Sequence, residues 1–109
     1  MEQITVTTQE GEHLTLHKES NDLWYCPVCG SLELRCPPRT DEGASFEMCS
    51  CGFEFGFDDD PAASGRAVEG INENWTRWRD MLLRKHSHQP EKLNQLKSQL
   101  EKIGCEIQF

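Results

Sequence analysis

The chain has 109 residues, 36% of them hydrophobic, and a formal net charge of −8 from 19 acidic and 11 basic side chains. That length fits one domain, residues 1–109, with a core thin enough to call for a metal or disulfide staple. The acidity repels phosphate backbones and argues against nucleic-acid binding, and no stretch approaches the length of a membrane span.

Ile4 and Val6, then Leu14 and Leu16, alternate with polar residues across Gln9-Glu10-Gly11-Glu12. This predicts a β-hairpin with one buried face over residues 1–22. Residues 23–60 form a ribbon segment. Leu23-Trp24-Tyr25 reads as an aromatic strand, Leu32 and Leu34 alternate again, and residues 36–45, with Pro37, Pro38, Asp41 and Gly43, read as a loop. Phe53, Phe55 and Phe57 alternate with Glu54 and Gly56, the pattern of a short strand with one aromatic face. Asp58, Asp59 and Asp60 then read as a solvated acidic loop. Residues 61–109 form the helical part. A helix is expected over 73–86, with Ile71, Trp75, Trp78 and Leu82 at helical spacing and packed on the phenylalanines. Pro90 opens a second helix at its first position, Leu93, Leu96, Leu100 and Ile103 make its stripe, and Gly104 stops it. Residues 105–109 alternate and are expected to return as a strand.

Six cysteines could serve a metal or disulfides. Residues 1–8 have neither the basic region nor the apolar run of a secretory signal. A reducing cytoplasm is therefore expected, where close cysteine pairs are metal-binding more often than disulfide-bonded. Cys26-Pro27-Val28-Cys29-Gly30 has the two-residue gap that wraps two thiolates round one ion, and the glycine admits a positive φ so that backbone amides point at sulfur. Cys49-Ser50-Cys51-Gly52 has a one-residue gap, so both sulfurs reach one ion only if the backbone turns sharply at Ser50. The expected ligands are Cys26, Cys29, Cys49 and Cys51. Cys36 in place of one of the second pair, or a weakly metallated site, are the alternatives. A four-cysteine zinc site is closed and structural rather than catalytic. His86 and His88 read as exposed groups at a helix end, His13 and His17 as surface residues of the hairpin, and Cys105 as a buried thiol.

Trp24-Tyr25-Cys26-Pro27-Val28-Cys29-Gly30, Phe46-Glu47-Met48-Cys49 and Cys51-Gly52-Phe53-Glu54-Phe55-Gly56-Phe57-Asp58-Asp59 resemble the cysteine-rich CPCC family of small bacterial proteins. Trp75, Trp78, Pro90-Glu91 and Leu100-Glu101-Lys102-Ile103-Gly104 are similar to its later parts, so the resemblance spans residues 24–104. The family's second turn carries one residue more. The resemblance implies a small zinc-ribbon or rubredoxin-like fold and no established reaction.

Together these readings give an α+β chain: a small zinc-ribbon or rubredoxin-like sheet with an N-terminal hairpin and two C-terminal helices. The expected function is non-catalytic, a cytoplasmic interaction module with structural Zn2+, immunity-like or antitoxin-like in role. Its partner is expected to be another protein with a basic surface, and the chain itself a monomer or weak homodimer. The alternative is a rubredoxin-like electron carrier with Fe in the same site.

Overall fold

A computed structural model describes residues 1–60 and 70–105. Its element order is α+β, with strands first and helices last. Strands β1 (Glu2–Thr7), β2 (His13–Lys18), β3 (Trp24–Tyr25) and β4 (Leu32–Leu34) form one antiparallel sheet in chain order. Ile4 pairs with Leu16 and Val6 with Leu14, so the apolar residues of the hairpin share one face. Leu14 and Leu16 are fully covered there, and Ile4 and Val6 half-covered. The hairpin turn closes through Gly11 N–H to Thr8 O at 2.9 Å.

The loop expected over 36–45 contains a small separate ribbon, β5 (Arg39–Thr40) with β6 (Gly43–Ala44). Its strands are two residues each, too short to leave an alternation in the sequence. Helix α1 runs Ile71–Lys85 and helix α2 Pro90–Lys102. Helix α1 thus begins two residues earlier than the expected 73. Its first N–H groups have no side-chain cap of their own, because Gly70 stands at the cap position. Glu12 of the β1–β2 turn supplies one instead, its carboxylate accepting from Ile71 N–H at 2.8 Å and Asn72 N–H at 2.9 Å. On α1 the buried apolar residues are Ile71, Trp75 and Leu83, with Leu82 only half-covered. Helix α2 buries Leu96 and Leu100, with Ile103 just beyond, and Gly104 at φ +81° ends it. The strand expected over 105–109 lies outside the described residues from 106 on.

The aromatic layer between helices and knuckles departs from the expected strand. Phe53 and Phe55 are buried, but Phe57 is 60% exposed. Only Met48 and Glu54 form a β-bridge. The chain then winds into turns, with Phe57 N–H to Glu54 O at 3.2 Å and Asp58 N–H to Glu54 O at 3.0 Å. Trp78 meets Phe53 edge-on at 5.3 Å between ring centroids, and Trp75 meets Phe55 at 6.0 Å. These T-shaped contacts join α1 to the second cysteine turn.

The acidic run is not a solvated loop. Asp59 is 1% exposed and accepts four hydrogen bonds from the described residues. Two come from the Arg39 guanidinium at 2.8 and 3.2 Å, one from the Trp75 indole at 2.9 Å and one from Gly56 N–H at 2.7 Å. The buried carboxylate is stable because each oxygen has donors and the charge has a partner. Asp58 accepts from Glu54 N–H at 2.8 Å and stabilises the same turn.

Candidate metal centre

The first cysteine turn leaves β3 and returns to β4. Gly30 N–H donates to Cys26 O at 2.8 Å, and Cys26 N–H to Ser31 O at 2.8 Å. The second repeats this pattern with one residue removed. Gly52 N–H donates to Cys49 O at 2.9 Å, and Cys49 N–H to Phe53 O at 2.9 Å. An i→i+4 closure has become i→i+3, a β-turn over residues 49–52. This is the sharp turn at Ser50 that a one-residue gap requires. Both turns end in a glycine with positive φ, +79° at Gly30 and +93° at Gly52.

The two turns face each other, and the sulfurs of Cys26, Cys29, Cys49 and Cys51 all lie within 4.8 Å of one another. Cys29 Sγ and Cys49 Sγ are 3.5 Å apart. Tetrahedral zinc with bonds of about 2.3 Å would set its sulfurs about 3.8 Å apart. The group has those dimensions, whereas a disulfide needs about 2.05 Å. All six cysteines are free thiols. Cys36 is exposed and stands outside the group, so the geometry favours the Cys49–Cys51 pair over the Cys36 alternative. Cys105 is half-covered rather than buried, packed against the core edge.

Four thiolates so close cannot coexist alone. Each pair of thiolates 3.5–4.8 Å apart would repel by about 3.5–5 kcal/mol at an effective dielectric of 20. The thiols therefore split. Burial pushes Cys26 well up, helped by its hydrogen bonds to the other three. The bond to Cys26 draws Cys29 down, but the bonds to Cys49 and Cys51, with burial, outweigh it and its pKa rises. Hydrogen bonds from Cys26 and Cys29 pull Cys49 down to about 7, and those from Cys26, Cys29 and Cys49 pull Cys51 down furthest. A divalent cation would replace the thiol protons and let all four sulfurs ionise.

Supports invisible to motif reading hold the two turns together. The Glu33 carboxylate, on β4, accepts from Ser31 Oγ at 2.5 Å, Ser50 N–H at 2.5 Å and Ser50 Oγ at 2.7 Å. It therefore ties the residue after the first turn to the middle of the second. Glu47 accepts from the N–H groups of Arg35 and Cys36 at 3.0–3.2 Å. From α1, the Arg79 guanidinium donates to Pro27 O within the first turn. Helix α2 presses on Gly30, where an added Cβ would lie 2.5 Å from the backbone carbon and oxygen of Gln99. A serine two residues past a cysteine pair and a serine inside the next, with a glutamate between, is the only trace of these contacts in the sequence.

Three of the four cysteines are buried, and Cys51 is half-covered. Cys29 and Cys51 line a cleft of about 300 Å³ together with Ser31, Ser50, Lys85, His86 and Lys92. Lys85 and Lys92 place positive charge on the side of a centre that, with a divalent ion, carries about −2. His86 caps α1, its N–H bonded to Leu82 O at 3.3 Å, and its ring meets Gln89 Oε1 at 3.0 Å. It is half-covered rather than exposed, and His88 is exposed. In the hairpin, His13 is exposed and bonds Thr7 Oγ1 at 3.0 Å, while burial lowers the pKa of half-covered His17. None of these rings joins the sulfur group. No helix among the described residues is long and apolar enough to cross a membrane.

Compared with known proteins, the chain matches no family model, no curated protein and no solved structure.

Proposed function

We propose that this is a small non-catalytic protein whose four-cysteine centre holds a structural zinc ion, and that it works in the cytoplasm as an interaction module for a basic protein partner. The observation that carries the reading is the convergence of Cys26, Cys29, Cys49 and Cys51 within 4.8 Å. A closed set of four sulfurs leaves zinc no position for water or substrate, which favours a structural over a hydrolytic role. The negative balance of the chain, −8, favours a basic partner over nucleic acid. The likeness of residues 51–59 to the CPCC family favours a zinc-ribbon or rubredoxin-like centre.

Metal analysis of the purified chain and of single cysteine variants tests this. One equivalent of zinc and no colour is expected, with the metal lost in Cys49→Ser and Cys51→Ser and retained in Cys36→Ser. Metal retained in both Cys49→Ser and Cys51→Ser refutes the ligand set. A red protein with reversible one-electron reduction refutes zinc in favour of the iron carrier.

A further inference from the structure

The outer face of the second cysteine hairpin carries large apolar side chains that the core does not use. Phe46 is 71% exposed, Met48 60% and Phe57 60%. Phe46 and Met48 are exposed on the segment that enters the second cysteine turn, with half-buried Glu47 between them and buried Cys49 next. Phe57 follows directly after Gly56, and the Phe46 ring rests on that glycine.

Phe46 is held rather than left loose. Its backbone sits at φ +63°, a left-handed conformation that costs a non-glycine residue energy. Gly56, at φ +100°, is bare where the ring lies: a Cβ there would come 2.6 Å from Phe46 Cε1. A strained backbone and a glycine cradle thus fix a ring that buries little surface in the fold. A residue with no role beyond solubility needs neither device.

From Thr40 to Asp60 the chain contains no lysine, arginine or histidine. Within this stretch of chain the charge has one sign, with Arg39 taken up by Asp59 and Arg35 entering only at the edge beside Glu47. Asp41 and Glu42 are exposed at the β5–β6 turn, next to Ala44, whose Cβ would meet a Cβ on Gly56 at 2.9 Å. Glu54 pairs with Met48 across the hairpin, on the same face. Anionic lipid and nucleic acid are repelled by such a rim, and a cationic polypeptide is attracted.

We propose that Phe46, Met48 and Phe57 form a docking surface for a basic amphipathic helix of a partner protein, its apolar stripe on the rings and its lysines or arginines on the acidic rim. This rests on the interaction-module reading and locates where the partner binds.

The test uses the full zinc-loaded chain and a fluorescent amphipathic helical peptide with leucine at positions i, i+3, i+4 and i+7 and lysine on the opposite face, followed by anisotropy. Micromolar binding is expected, weakened at least ~10-fold by Phe46→Ser or Phe57→Ser and unchanged by Met81→Ser, an exposed apolar residue on α1. A lysine–serine peptide of equal charge should bind at least ~10-fold more weakly. Equal binding of the two peptides, or of Phe46→Ser and the parent chain, overturns the proposal. So does concentration-dependent self-association that Phe46→Ser abolishes, since the occupant is then a second copy. Zinc content and the thermal midpoint of each variant separate a failed surface from a failed centre. A chain without zinc that still discriminates the peptides refutes the metal reading alone.

Discussion

The two glycines that follow the cysteine pairs provide a matched test of the knuckle geometry. Gly30 and Gly52 both have positive φ, +79° and +93°, so alanine at either is strained by the same backbone effect, about 1–2 kcal/mol. Their surroundings differ. Around Gly52 an added Cβ meets nothing within 4 Å. At Gly30 it would lie 2.5 Å from the Gln99 carbonyl carbon and oxygen and 2.8 Å from Leu100 N, all backbone atoms of α2. Ordinary contact begins at 3.4 Å, so the helix would have to retreat by about 0.9 Å from a close-packed surface. Overpacking of that kind adds about 1–3 kcal/mol. Gly30→Ala should therefore cost about 2–5 kcal/mol and Gly52→Ala about 1–2. Urea unfolding at a buffered free-zinc concentration measures both, because fixing the metal holds its mass-action contribution constant. With an m-value of about 1–3 kcal/mol per molar urea, a gap of ~2 kcal/mol separates the midpoints by roughly 1 M. Equal losses, or a larger loss at Gly52, would refute the close approach of α2 to the first knuckle.

Two further outcomes follow from other parts of the fold. Asp59→Ala leaves the Arg39 guanidinium, the Trp75 indole and Gly56 N–H without their buried acceptor and should cost about 3–5 kcal/mol, roughly 15–20 °C in thermal midpoint; a loss below ~1 kcal/mol in calorimetry contradicts the hub. Tyr25 is the one tyrosine of the chain, so tyrosinate absorbance reports on it alone. Its hydroxyl donates to Glu19 at 2.7 Å, and that bond, with burial and the carboxylate charge, raises its pKa above the ordinary 10.0. The stability it contributes is complete below pH 10 and is lost as pH rises through the higher folded value. Glu19→Gln should shift the absorbance midpoint down, and an unchanged midpoint rules out the bond.

The parts of this fold that repeat along the chain were legible in its sequence. The alternation of Ile4, Val6, Leu14 and Leu16, the Pro90 start and Gly104 stop of α2, and the four cysteines each reflect local geometry, where one residue's neighbours decide its environment. What failed did so for tertiary reasons. Phe57 completes a period-2 pattern with Phe53 and Phe55, but the turn drawn in by Asp58 and Asp59 rotates it outward. Asp59 looks like one of three equivalent acids, and only the arrival of Arg39 and Trp75 from distant segments makes it a core residue. The same holds for Glu33 and Glu12. Each is an unremarked glutamate whose partners, Ser50 and the start of α1, are brought to it by folding.

The one-residue gap in the second turn shows why spacing alone left the centre open. Counting residues suggests opposed side chains at Cys49 and Cys51, as along an extended strand. The backbone instead closes one residue sooner, and the glycine after the pair keeps its place relative to the turn. The sulfurs are then fixed from outside the motif. Glu33 clamps one turn to the other, Arg79 holds Pro27, and Gly30 receives α2. Phe53, two residues past Cys51, carries Trp78 of α1. Each of these four contacts falls within two residues of one of the four cysteines. A metal bound there would stabilise more than the two turns: the forces that keep the sulfurs together are the same ones that seat both helices. Removing the metal would leave protonated sulfurs with no metal bond joining the two turns beneath α1 and α2, so the centre and the helical layer should unfold as one cooperative unit.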